Sequence, residues 1–393
     1  MFALSKTADP GRLKSAVTRL LARHTTLRTS YLPGRTDVGV VTPASSLDVR
    51  AEALELDPER PEALLRLAME PFSLDAPQRM RAIGLVLPDR SFAAALVVDH
   101  LCCDGISATV LASDLFSRYH EDHGVGDKPD ISYARFAREQ RAELLDGRNA
   151  TAQKYWEAEY DAWGWGRPRC PLARRPGDGE GRDGGARFTY RLGDDAKNGL
   201  DGLAIRHRTT RFIVLAAVML QQFVDEADLD AAGLSTDYHG RTRPWVQSTA
   251  GLFAHSLDLH LSRAEAGSLD TAIPALRDRM AERTAMAVPR SAITSGERPA
   301  VADSSGTAEA PLYFTNSPLG LRAPGQSQGW APSASVLDPR PYMQPPRRRL
   351  SIELESPQEG VALNVGMNRR HFDPERVSEF LDQVSGRLSK AAL

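Results

Sequence analysis

Phe92-Ala-Ala-Ala-Leu-Val-Val98-Asp99-His100-Leu101-Cys102-Cys103-Asp104-Gly105-Ile106-Ser107 is the stretch that decides how this chain is read. Residues 92–98 are apolar throughout, which predicts a strand covered on both faces in the middle of a sheet. That strand runs directly into ionisable residues, and from about 107 to 119 the apolar spacing is helical. Polar side chains therefore stand where a central strand ends and a helix begins. A rigid strand fixes such side chains while the loop exposes them, so sites are commonly built there.

Working outward, Asp9 and Pro10 open an amphipathic helix in which Leu13, Val17, Leu20 and Leu21 recur at helical spacing as far as His24. Residues 29–32 read as a strand, 60–69 as a helix, and 80–87 as a strand joined to 92–98 by Pro88-Asp89-Arg90. A helical region at 133–163 carries Tyr155, Trp156 and Trp163. Residues 166–187, rich in Gly, Arg and Pro, read as an exposed linker between two lobes, 1–165 and 188–393. The second lobe shows strands near 188–192, 231–235, 256–261, 311–315, 350–355 and 361–367. Its helices fall near 196–206, 211–223 and 373–388, and 294–309, without periodicity, reads as a mobile loop.

Composition narrows the function. The 393 residues are 41% hydrophobic and 25% charged, as in an ordinary globular protein. Lys and Arg number 49 against 51 Asp and Glu, so the net charge of −2 offers no basic field for nucleic acid. The longest apolar run, 212–220, is far shorter than the ~20 residues of a membrane span. Three cysteines without a CxxC pairing suggest neither a disulfide framework nor a structural zinc site, and the start lacks a signal-peptide pattern. A cytoplasmic monomer without metal or redox cofactor is the expectation.

A lone His at a strand end is more often structural than catalytic. Here the buried-type strand before His100 and the tight Asp104-Gly105 turn after it favour a site. Cys102 and Cys103 invite a nucleophile reading, but a covalent acyl-Cys needs a lowered pKa and an oriented base, and small core filler is the better reading. Ser107 reads as a helix cap sooner than a substrate contact.

The motif resembles the HHxxxDG signature of the condensation-domain superfamily of nonribosomal peptide synthetases and their chloramphenicol acetyltransferase-like relatives, with Asp99 in place of the first His. Further matches follow in order: Arg23-His24-Thr25-Thr26-Leu27-Arg28, Ser132-Tyr133 with Tyr155-Trp156, Gly240-Arg241-Thr242-Arg243-Pro244, Gly251-Leu252-Phe253, and residues 364–373. The resemblance implies an α/β fold, an α+β two-layer arrangement of two acetyltransferase-like lobes in a V-shaped pseudo-dimer with a tunnel between them. It implies a stand-alone acyltransferase joining an acyl or aminoacyl thioester, on a carrier protein or coenzyme A, to a small amine or alcohol acceptor in natural-product biosynthesis. His100 is then general base or positioner, and Gly105 offers its amide to the oxyanion. Asp104 pairs with Arg241, which is taken from the second lobe; the alternative for Asp104 is a helix N-terminal acid. Asp99 supports the loop. Ser107, Tyr238 and His239 are possible tunnel-lining residues, as is His255, although a structural histidine is the more ordinary reading of both. The Arg run 347–349 reads as a solvated turn that an acidic carrier helix could meet.

Two other readings stand beside this one: a docking or recruitment module without chemistry, and, third, a heterocyclization-type domain using Asp99 and Asp104. Family members usually carry an extra strand or helix before residues 1–4, so either the first lobe is trimmed or the start lies upstream. With no adenylation or carrier segment in the sequence, donors are expected in trans. Neither acyl donor nor acceptor is marked by any short motif.

Overall fold

The computed structural model describes residues 2–32, 34–47, 49, 51–55, 62–120, 129–163, 170–174, 184–293, 312–316, 350–355 and 360–392. The stretches 294–309 and 347–349 lie outside them. Among described residues the chain divides into two compact units, Met1–Ala142 with Arg241–Ala254, and Glu143–Gly240 with His255–Gly320 and Met343–Leu393.

In chain order the first unit contains β1 (Phe2–Ser5), α1 (Pro10–Arg23), β2 (Thr29–Leu32), β3 (Arg35–Val41), β4 (Ala51–Glu55), α2 (Glu62–Met69), β5 (Met80–Val86), β6 (Phe92–Val98), α3 (Gly105–His120) and α4 (Ser132–Leu145). Its main sheet runs β1-β6-β5-β4, with β6 antiparallel to both neighbours and β4 parallel to β5. The all-apolar β6 is therefore an inner strand, with Phe92 to Ala95 buried. One face receives Leu13, Val17, Leu20 and Leu21 of α1 and Leu111 and Leu115 of α3; the other receives Leu64 of α2 against Ile83, Leu85 and Ala93. Burying a Leu or Phe side chain contributes about 1.5–3 kcal/mol, which is what holds these helices on the sheet.

The second unit contains α5 (Ala150–Trp163), β7 (Gly185–Arg191), α6 (Asp194–Arg206), α7 (Arg211–Glu226), β8 (Ala231–Tyr238), β9 (His255–Ser262), α8 (Arg263–Ala266), α9 (Leu269–Ala285), α10 (Arg290–Ile293), β10 (Leu312–Asn316), β11 (Leu350–Glu355), β12 (Ala362–Asn368) and α11 (Pro374–Lys390). Its six-stranded sheet has the order β7-β12-β11-β10-β8-β9, parallel only where β10 meets β11 and β8. The apolar helix α7 is buried from Phe212 to Val224.

The units and the expected lobes divide differently. Helix α5 goes with the second unit, and Arg241–Ala254 goes with the first. Within the stretch read as an exposed linker, Cys170, Leu172 and Ala173 are buried in the second unit's core, and β7 begins at Gly185. Composition averaged over that Gly- and Arg-rich stretch hides the short apolar segment that pins it. The remaining residues of the stretch, 166–169 and 175–183, lie outside those described.

Candidate active site

After β6, Asp99 caps a short 3-10 turn, His100–Cys102, by accepting from the Leu101 amide at 3.0 Å. His100 opens that turn and is exposed, while Cys102 and Cys103 behind it are buried. The imidazole is thus presented by a turn whose far side is core. Burial pushes the Cys102 thiol up to about 12, and Cys103 moves in the same direction for the same reason. Cys102 also donates to the Asp99 carbonyl at 3.1 Å. Neither thiol has thiolate character, so filler describes them better than nucleophile.

Asp104 is buried and directly precedes α3. Its Oδ1 accepts from the Ser107 amide at 2.8 Å and from Arg241 Nη2 at 3.1 Å, and its Oδ2 accepts from the Phe253 amide at 3.0 Å. Asp104 therefore both caps the helix and pairs with Arg241. The two readings of this residue were alternatives; the geometry joins them, because one carboxylate has room for several donors.

Arg241 has no exposed side-chain surface. Its Nη1 donates to the carbonyls of Val246 and Thr249 at 2.6 and 2.7 Å, and its guanidinium lies 4.2 Å from the centroid of the Phe253 ring. Gly240, at φ +65°, makes the left-handed turn from β8 into this segment, a conformation that glycine adopts without strain. Arg241 was assigned to the second lobe; it packs as part of the first unit.

Ser107 is not at the cap and not at any surface. It is fully buried, and its Oγ accepts from Arg241 Nη2 at 2.8 Å and from the Gly251 amide at 3.0 Å. Its single proton is shared between the Gly251 carbonyl at 2.6 Å and Asp104 Oδ1 at 2.7 Å. Ser107 thereby ties Asp104, Arg241 and Gly251 into one buried network. Sequence reasoning missed this role because Gly251 is 144 positions away. Gly251 must be glycine, since a Cβ there would run into the Tyr133 ring. Tyr133 and Phe136 of α4 both close edge-on against Phe253, at 5.1 and 4.9 Å.

Gly105, half-buried, is the first residue of α3, where an amide has no acceptor inside the helix. Asp99 binds Arg79, which sequence reasoning did not single out. Arg79 Nη1 donates to Asp99 Oδ2 at 2.5 Å, and Arg79 is fully buried. The strand register brings the two together: Met80 of β5 faces Val98 of β6, so the next pair is Arg79 and Asp99. Tyr238 and His239 belong to the second unit. Tyr238 is buried with Trp156, Tyr160 and Leu257, so it is a core residue there, whereas His239 is exposed beside it. His255, half-buried at the start of β9, has its pKa lowered by burial.

The family model described as Condensation domain matches residues 1–393. A linear gramicidin synthase polypeptide of Brevibacillus parabrevis is 29% identical over 267 residues, which are 63% of this chain and 5% of that protein. The chain thus spans a small fraction of the curated relative's length. Among solved structures, SgcC5 from Streptomyces globisporus, in complex with (R)-(-)-1-(2-naphthyl)-1,2-ethanediol and sucrose, superposes with a TM-score of 0.73 at 19% identity, covering 98% of this chain and 90% of that one. The X-domain in its complex with OxyB from teicoplanin biosynthesis gives 0.74 at 13% identity, covering 98% and 86%. At these identities the structural likenesses carry the fold.

Proposed function

The chain belongs to the condensation-domain family, and from that premise we propose that it is an acyltransferase. In this reading it joins an acyl or aminoacyl thioester, carried on a carrier protein or on coenzyme A, to a small amine or alcohol in natural-product, and specifically antibiotic, biosynthesis. One observation carries the reading: His100 is exposed on a short turn whose two ends are fixed by buried ion pairs, Arg79–Asp99 before it and Asp104–Arg241 after it. An imidazole held in that way suits proton transfer, a step worth about 10²–10⁴-fold in rate.

The chemistry balances without a further reagent. The acceptor nitrogen or oxygen attacks the thioester carbonyl while His100 takes its proton. The Gly105 amide donates to the oxyanion that forms. Collapse expels the thiolate, which recovers the proton from His100, leaving an amide or ester and a free thiol.

The recruitment reading draws its support from the like-folded X-domain found in complex with OxyB. Against cyclisation by Asp99 and Asp104 stands the fact that both carboxylates are already engaged by protein donors. The test is to incubate the protein with a panel of acyl-loaded carrier proteins and acyl-coenzyme A together with amines and alcohols, reading products by mass spectrometry. An amide or ester that needs the protein supports transfer. Hydrolysis at the background rate alone, with every donor, favours recruitment.

A further inference from the structure

We propose that Arg79 is a positioning residue for His100, acting through Asp99 to fix both where the imidazole stands and how readily it holds a proton. The inference rests on the acyltransferase reading only for what His100 does; the electrostatic relation is a property of the chain itself.

Arg79 grips Asp99 at two points. The Asp99 amide donates to the Arg79 carbonyl at 3.0 Å, and Arg79 Nη1 donates to Asp99 Oδ2 at 2.5 Å. The remaining donors of Arg79 are also committed. Its amide reaches the Leu27 carbonyl at 2.8 Å, its Nε the Thr29 carbonyl at 2.7 Å, and its Nη2 the Leu74 carbonyl. The guanidinium lies 5.2 Å from the Tyr31 ring centroid. A residue with no exposed side-chain surface thus ties the 27–29 stretch and Leu74 to the residue preceding His100. The Asp99 carboxylate, 16% exposed, keeps its other oxygen for the Leu101 amide, so the turn that presents His100 starts from a fixed point.

The electrostatic consequence has a definite sign. A bare carboxylate next in sequence to an imidazole would favour its protonated form, and an acceptor's proton could not then be taken up. Arg79 cancels that charge. Among the described residues, Tyr31, Cys102, Cys103, Asp104, Tyr133 and Arg241 form the linked ionisable surroundings of this loop. Asp104 and Arg241 are themselves paired, and of the two pairs Arg79–Asp99 is the one that includes the residue next to His100.

The experiment is an NMR pH titration of the full chain with labelled histidine, the His100 signal being identified by its loss in His100→Gln. Asp99→Asn keeps an acceptor for the Leu101 amide but leaves Arg79 charged, and should lower the His100 pKa by about 0.3–1 unit. Arg79→Met leaves Asp99 uncompensated and should raise it by a similar amount. The Arg79→Met/Asp99→Asn double variant should return to within about 0.3 unit of the parent. Shifts of the same sign in both single variants, or no shift in Asp99→Asn, overturn the proposal. Should Arg79→Met fail to fold, Asp99→Asn decides alone. Arg79→Lys adds a second arm, with an unchanged His100 titration and a lowered kcat at constant KM expected; a shifted titration there counts against the proposal. Because the titration needs no turnover, it stands apart from the question of whether the protein transfers acyl groups.

Discussion

Arg241 Nη2 and Asp104 Oδ1 lie 3.1 Å apart although 137 positions separate them, and both side chains are almost wholly buried. The strand-to-helix turn bearing His100 is therefore locked by a residue from a distant segment that folds into the same unit. Breaking one half of a buried pair leaves an uncompensated charge and costs about 3–5 kcal/mol. Asp104→Ala and Arg241→Ala should each lower the urea unfolding free energy by about that much, and the double variant by less than the sum. Strict additivity would mean that the pair does not interact.

Ser107 bridges Arg241, Asp104 and both polar groups of Gly251. Ser107→Ala strands a buried Gly251 amide and part of the Arg241 fork, a loss of about 1–3 kcal/mol. Ser107→Thr, adding a methyl at a fully buried position, should not rescue it. Equilibrium unfolding of the two variants checks this, and parent-like stability of Ser107→Ala would deny Ser107 its place in the lock.

Cys102 and Cys103 should be inert in the folded protein at neutral pH, since burial raises both thiols far above their ordinary range. Labelling with a thiol reagent should be slow natively and complete in urea. Cys102→Ala should keep product formation within severalfold of the parent. A stoichiometric acyl-Cys found by mass spectrometry would contradict this.

His260 provides a pH signature in the second unit. Burial, with Arg283 and Arg279 close by, lowers its pKa to about 4, with Asp258 acting in the opposite direction. Arg283 Nη1 donates to its Nδ1 at 3.2 Å, and Trp163 stacks on its ring at 5.1 Å, so the native imidazole is neutral. The unfolded chain binds a proton near pH 6.5 while the folded chain does not, so stability falls as pH drops from about 6.5 and levels off below about 4. The contribution is on the order of 3 kcal/mol. Denaturant midpoints measured from pH 7 to pH 4 should slope downward, and His260→Gln should flatten that slope.

Much of the fold could be read from apolar periodicity. Helix α1 with its Asp9 cap, the β5–β6 pair and α7 all fall within a few residues of their expected bounds. Helix α9 was not foreseen, because Pro274 lies inside it and its buried residues form a narrow stripe; its Ser268–Thr271 capping box was the available signal. Strands β3 and β4, also not foreseen, pair at sheet edges. At the site, the spacing of His100, Asp104 and Gly105 was legible because one strand-to-helix turn contains them. The roles of Arg79, Gly251 and Phe253 were not, because they depend on register and on a segment returning from far along the chain.

The role of the His100 imidazole is tested most directly by single-turnover kinetics of His100→Ala. With a loaded donor and an acceptor accepted by the parent, the variant should form product about 10²–10⁴-fold more slowly. Because His100 is exposed, its unfolding free energy should stay within about 0.5 kcal/mol of the parent. A folded His100→Ala protein that turns over within twofold of the parent rate would contradict the assignment.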